Sequence, residues 1–288
     1  MPGPALARRL AVVGVGLIGG SLAWGVKRRA LAREVVGVDR DSASLRYAID
    51  AGMIDVSAGL EAAVRGADLV VLAVPVGALA GLADELAPWL APETVVTDVG
   101  SVKLPVVERV GSVISRFVGG HPMAGGERSG AAAAVPDLFD GTQCLLTPTA
   151  RTDPKALEVV ERLWNGLGAT VVRMDAAKHD EVVAAVSHLP HLAAFALVNA
   201  VAAADPAGAA LAFAAGGFRD MTRIAASSPE MWRDICLMNR DPLLGMLTRY
   251  ADAVGRLREL VGRGDGPGLL DEFTRARSVR QGLREGPG

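Results

Sequence analysis

The stretch RLAVVGVGLIGGSLAW, Arg9 to Trp24, decides how the chain is read. Its first half is a short run of Leu, Ala and Val, the composition of a buried strand. Its second half places glycines at 14, 16 and 19 at the start of a helix. A strand, a Gly-x-Gly-x-x-Gly turn and a helix, in that order, make the opening βα unit of a dinucleotide-binding sheet. Gly14 and Gly16 permit a tight turn and close backbone approach to a pyrophosphate, and Gly19 permits close helix packing. Leu17 and Ile18 begin the helix whose N-terminus favours phosphate charge. The motif alone is weak, but the next strand, EVVGVD, ends on Asp39, 20 residues beyond Gly19. An acid there binds the adenosine ribose hydroxyls and repels a 2′-phosphate, which favours NAD over NADP. Arg40 beside it leaves NADP open.

Outward from this unit, apolar runs alternate with helical stretches as far as residue 174. RLAVVGVG, EVVGVD, ADLVVLAVP, TVVTDVGS, RFVGGHP, QCLLTPT and TVVRM read as strands, with helices at Leu17–Arg29, Ser42–Ala51 and Pro154–Leu167 between them. This alternation predicts an α/β fold, a doubly wound parallel sheet of Rossmann type over residues 1–174. From residue 175 to 288 the pattern is helical without strands. Asp205–Gly208 and Gly216–Gly217 read as breaks, Ser228-Pro229-Glu230 as a helix start, and RGDGPG and REGPG as loop and frayed tail.

Bulk composition excludes several classes. A net charge of −2 argues against binding nucleic acid or anionic lipid by bulk electrostatics. Two cysteines, Cys144 and Cys236, lack disulfide or zinc-ligand spacing, so no metal is expected and a cytoplasmic setting fits. Val182–Ala204 is 23 residues without an acidic residue, Lys or Arg, long enough to cross a bilayer. Its Ser187, His188, Pro190, His191 and Asn199 instead favour a helix buried among other helices, with no membrane partner.

The carboxyl ends of the strands face the ligand crevice of a doubly wound sheet. Val74-Pro75 follows the third strand of this reading, and Asp98-Val99-Gly100-Ser101 the fourth. Ser101 there either caps the helix that follows or reaches the ligand. On the same rim, GGHPMAGGERSG (119–130) holds His121, one of only four histidines. A histidine at the edge of a nicotinamide-binding sheet is placed to accept a hydroxyl proton as hydride leaves.

Four blocks now carry a resemblance: VGVGLIGGSLA at 13–23, VVTDVGSVK at 95–103, GGHPMAGGERSG, and AAVSHLPHLAAFAL with GGFRDMTRIAASSPEMWRDI at 184–197 and 216–235. In these the sequence resembles the prephenate/arogenate dehydrogenases. The resemblance implies NAD-dependent oxidation of prephenate at the carbon bearing its 4-hydroxyl, with loss of the ring carboxylate as CO2, giving 4-hydroxyphenylpyruvate for tyrosine synthesis. It implies His121 as the base at that hydroxyl, with Ser101 positioning it. Prephenate is a dianion, and the resemblance gives Arg223 the main anchoring role. Arg219, four residues earlier and on one helix face, is a second candidate or a surface ion-pair partner.

In SHLPH, where Pro190 disrupts the helix around Val186, the resemblance places a substrate contact at His188 or His191, with His188 favoured. His179 reads as a cap or pairing partner near the start of that helix. Trp232 is a pocket aromatic or a core residue. Gly126 stands where many relatives carry a larger or polar residue, which leaves prephenate against arogenate open. 4-amino-4-deoxyprephenate is a further substrate alternative, and a non-catalytic NAD-sensing dimer a remote one. Neither a fused chorismate mutase nor an additional regulatory domain is expected, and the apolar helical half predicts a homodimer through the C-terminal helices.

Overall fold

Strand β1 (Ala7–Val13) runs through the centre of the sheet, and its side chains alternate between two cores. Leu10 and Val12 face one, Ala11 and Val13 the other, as a two-residue period requires. A computed structural model of the chain describes residues 5–126, 128–205 and 208–283. From β1 the chain continues through α1 (Leu17–Arg28), β2 (Ala32–Val38), α2 (Ser42–Asp50), β3 (Val56–Ser57), α3 (Leu60–Val64) and β4 (Leu69–Leu72). Then follow α4 (Leu79–Leu86), β5 (Val95–Asp98), α5 (Leu104–Val113), β6 (Phe117–Pro122), β7 (Gln143–Thr147), α6 (Pro154–Gly166) and β8 (Thr170–Arg173).

The strand order is β3-β2-β1-β4-β5-β6-β7-β8, so the winding reverses between β1 and β4. The carboxyl ends of β1 and β4 open the ligand crevice at that switch point. Two features depart from the expected sheet. β3, only two residues long, adds an edge strand beside β2. β7 runs antiparallel to β6, with His121 opposite Leu145, and β8 runs parallel to β7. A parallel return needs a crossover helix. Among its described residues the β6–β7 connection holds a 3-10 turn at Ala131–Ala133 and no helix long enough to cross over, and the chain comes back in the opposite sense.

Helices α7 (Ala176–Val183), α8 (Leu189–Ala204), α9 (Ala209–Ala212), α10 (Gly216–Thr222), α11 (Pro229–Met238), α12 (Arg240–Arg263) and α13 (Gly266–Gly282) complete the described chain. Between α7 and α8, Ala184–His188 forms a π-helical turn. Pro190 has no N–H to give to Val186, and the backbone widens there as its position predicts. Trp232 and Ile235 of α11 sit in the core on one face of the sheet, with Leu192 and Phe195 of α8 packed against it. This contact places the helical half over the strand ends.

Ser228 caps α11 through its hydroxyl, as expected. Gly216 and Gly217, expected as a break, are instead the first residues of α10. RGDGPG is a tight helix joint rather than a loop: Gly264 adopts φ +63° to end α12, and Asp265 caps α13. REGPG, residues 284–288, lies outside the described residues, as do residues 206 and 207 of the expected break at Asp205–Gly208. The uncharged segment is not sheathed by its own chain, since Ala194 is the one residue of α8 that is buried. By length and composition alone, Ala176–Ala204 is a helix that could cross a membrane.

Candidate active site

Gly14 leaves β1 with φ +96°, and a Cβ there would lie 2.3 Å from the Ala73 carbonyl oxygen. At Gly19 an added Cβ would fall 1.9 Å from the Gly14 oxygen, so α1 packs against the turn only because that atom is missing. A Cβ on Gly16 would meet nothing within 4 Å, so this glycine faces open space. The first turn of α1 has no side-chain cap, which leaves its N–H groups for an anion. After β4 the backbone of Ala73 and Val74 passes against Gly14, and Pro75 comes next in the chain. At the end of β2, Asp39 accepts from Val15 N at 2.7 Å and Asp41 N at 2.9 Å, which orients its carboxylate beside the glycine turn. Arg40 is exposed. These residues fit a dinucleotide: an open cradle for pyrophosphate and an oriented acid for the ribose.

Farther along the rim, a fully buried ion pair joins the ends of β5 and β6. Lys103 and Asp98 have no exposed side-chain surface, and the Lys103 Nζ donates to the Asp98 carboxylate and to Gly120 O. Asp98 also accepts from Gly100 N at 2.8 Å and Gly120 N at 3.1 Å. The two strand ends that carry Ser101 and His121 are thereby fixed to one another.

His121 is the end of a hydrogen-bonded chain. Its Nδ1 lies 2.8 Å from His179 Nε2, and His179 Nδ1 lies 2.7 Å from Asp180 Oδ1. A carboxylate accepts, so His179 donates from Nδ1 and its Nε2 carries the lone pair. His121 must then donate from Nδ1, which leaves its own Nε2 as a free acceptor. Asp180 is held in turn by the backbone N–H groups of Lys103 and Leu104, both at 2.8 Å. These belong to the N-terminus of α5, where a carboxylate is favoured. Burial first, then the nearby His179, Lys103 and His188, hold the His121 imidazole well below the usual histidine range. The site thus presents a neutral imidazole with its lone pair available, the requirement for a general base.

The helical half closes the other side. His188 is fully buried, with its Nδ1 3.0 Å from Asn239 Nδ2, and its ring meets Trp232 edge-on at 5.8 Å. His191, half-buried, stacks on Trp232 at 3.8 Å and donates from Nδ1 to Ser187 O at 2.9 Å. Burial lowers the pKa of both, that of His188 to about 4.

A family model described as the prephenate dehydrogenase nucleotide-binding domain matches residues 22–173, and one described as its dimerization domain matches residues 175–275. The chain belongs to the prephenate dehydrogenase family. Prephenate dehydrogenase of Bacillus subtilis (strain 168) is 38% identical over 278 residues, 94% of this chain and 75% of that protein. A solved structure of prephenate dehydrogenase from A. aeolicus, in complex with hydroxyphenyl propionate and NAD+, matches with a TM-score of 0.90 at 36% identity. That match covers 95% of this chain and 97% of the other. Synechocystis arogenate dehydrogenase matches at 32% identity and a TM-score of 0.79, over 95% of this chain and 99% of that one.

Among the residues singled out in this member of the family, the fold gathers the glycine turn, Asp39, Val74, Pro75, Ser101 and His121 on the sheet rim. It brings His188, His191 and Trp232 together as one cluster of rings. Gly126 is exposed, and a Cβ on it would touch Leu17 at 3.5 Å, so this loop folds back towards the start of α1. Ser101 does not cap the helix after it: α5 has Lys103 at its cap position and takes its acceptor from Asp180. Of the two roles open to His179 it takes pairing and not capping, because Asp175 caps α7 and His179 bridges His121 to Asp180. Arg219 donates to Ala214 O at 3.1 Å, and α10 ends at Thr222. Arg223 opens a separate 3-10 turn, so the two arginines do not continue one helical face. Both are exposed in the single chain.

Lys103, Asp180 and Asn239 were not anticipated. Lys103, one of only four lysines, stood within the quoted block TDVGSVK, and Asp180 stood beside one of four histidines. Asn239, in an ordinary helix junction, carried no signal.

Proposed function

We propose that this chain is an NAD-dependent prephenate dehydrogenase that converts prephenate to 4-hydroxyphenylpyruvate and CO2 in tyrosine synthesis. The observation that carries the reading is the Asp180–His179–His121 chain, which leaves His121 Nε2 as a neutral acceptor on the rim that holds the glycine turn. NAD, when bound against Gly14, Gly16, Leu17, Ile18, Gly19 and Asp39, supplies the acceptor for the hydrogen that leaves carbon 4 with its electron pair. His121 Nε2 takes the 4-hydroxyl hydrogen bond and holds its proton as the C–O bond gains double-bond character. The bond from the ring to its carboxylate then breaks, its electron pair completes the aromatic ring, and the phenol oxygen regains the proton from His121. Asp180 and His179 stabilise the imidazolium formed in between, by the same geometry that set the tautomer. Ser101 positions the hydroxyl. His188, His191 and Trp232 line the substrate side, and Arg223, with Arg219 as a second guanidinium, neutralises the dianion.

The working unit is a homodimer in the cytoplasm. In one chain Phe213, Met221, Leu237, Val261 and Leu270 are exposed, and Ala194 alone of α8 is fully buried. A two-fold partner laid on these helices covers that apolar surface, which supports assembly over membrane insertion. Arogenate is the competing substrate, because the exposed Gly126 puts no side chain of its own near the cofactor turn. The test is NADH formation at 340 nm with prephenate and with arogenate. Turnover of prephenate well above arogenate is expected, the reverse preference would reassign the substrate, and no turnover with either would overturn the reading.

A further inference from the structure

Asn239 sits at the junction of α11 and α12 and is 2% exposed. Its Nδ2 lies 2.9 Å from Asp180 O and 3.0 Å from His188 Nδ1. A backbone carbonyl only accepts, so the amide atom facing Asp180 O must be the nitrogen and not the oxygen. The same nitrogen, with its second hydrogen, faces His188 Nδ1. Nδ1 is therefore an acceptor, and the single hydrogen of neutral His188 is on Nε2. Among the described residues that buried Nε2 has no hydrogen-bond partner. His188 is thus the converse of His121: one ring offers a lone pair, the other an N–H.

We propose that Asn239 is a positioning residue that fixes His188 as a neutral Nε2–H donor to a substrate oxygen lying against Trp232. The inference rests on the dehydrogenase reading for the identity of that oxygen, but the tautomer does not. A buried donor without an acceptor is unfavourable, and a bound oxygen removes that penalty. Burial keeps the ring neutral, with its pKa near 4. An uncharged donor also suits its position, since a cation beside His121 would oppose the proton that His121 must hold.

The experiment is 15N–1H correlation of the imidazole nitrogens in the full-length, 15N-histidine-labelled protein at pH 7, with His188 assigned by loss of its signals in His188→Leu. The expected result is a pyridine-type Nδ1 and a pyrrole-type Nε2–H, whose proton moves downfield on adding hydroxyphenyl propionate with NAD. Asn239→Leu should release the tautomer and raise the apparent KM about tenfold, the worth of one hydrogen bond, with kcat changed far less. His188→Gln, whose amide nitrogen falls where Nε2 was, should recover part of the affinity that His188→Leu loses. A wild-type His188 protonated on Nδ1 overturns the proposal. An Nε2–H unmoved by the ligand also does, since that donor would belong to the Trp232 ring face. If Asn239→Leu does not fold, the wild-type spectrum decides alone. Absence of turnover with a correct tautomer would sink the substrate reading and not the assignment.

Discussion

Lys103→Met tests the buried pair beneath the site. Lys103 and Asp98 are both wholly inside, and the ammonium touches the Asp98 carboxylate and Gly120 O. Methionine has similar length and no charge, so the substitution leaves Asp98 with only the N–H groups of Gly100 and Gly120 as partners. Removing one member of such a pair costs about 3–5 kcal/mol, a large part of a total stability of roughly 5–15 kcal/mol. Replacing both members, as Asp98→Asn with Lys103→Met, removes the stranded charge and should recover most of that loss. Lys103 also helps to lower the His121 pKa, so the acid limb of kcat should move to higher pH in the single variant. Urea unfolding followed by circular dichroism, at matched protein concentration because a dimer is expected, gives the free energies. A single variant within about 1 kcal/mol of wild type, or a double variant less stable than the single, would refute this account of the pair.

Stability should fall in mild acid. His188 has its pKa lowered from 6.5 to about 4 in the folded state, so between those values the unfolded chain binds more protons. The contribution is complete above pH 6.5 and declines as pH falls, by about 3 kcal/mol at pH 4. Comparing the urea midpoints of wild type and His188→Gln at pH 7 and pH 4.5 checks it, with the smaller drop expected for the variant. Arg223→Ala should raise the apparent KM for prephenate while changing kcat little, as measured by initial rates over a range of substrate concentrations. A fall in kcat at unchanged KM would place Arg223 elsewhere in the mechanism.

What could be read in advance follows from the range of each interaction. The βα turn was legible because its three glycines lie within six residues of one another, and the close approach of Gly19 to Gly14 that their spacing allows is local. Disruption of the helix before Pro190 was legible too, since a missing N–H acts four residues back, although its π-helical form was not. The direction of β7 was not, because an apolar run such as QCLLT is the same whichever way it is traversed. His121 could be placed at a strand end, but its partner lies 58 residues away, and local reading left His179 as a cap or a pairing residue without naming its partners. Asp180 was hidden likewise: it caps a helix 76 residues earlier in the chain. Lys103 carried no local sign of burial, because the Asp98 carboxylate and Gly120 carbonyl that receive it come together only when the sheet forms. Polar residues whose partners are distant in sequence are the part of a site that sequence alone least reveals.

The central claim is that His121 acts as a neutral base held by His179 and Asp180. NADH formation from prephenate by His121→Asn, with NAD affinity measured in the same preparation, tests it most directly. The account predicts kcat lower by about 10²–10⁴, the usual worth of a general base, with NAD binding little altered. A variant that turns over as fast as wild type would contradict it.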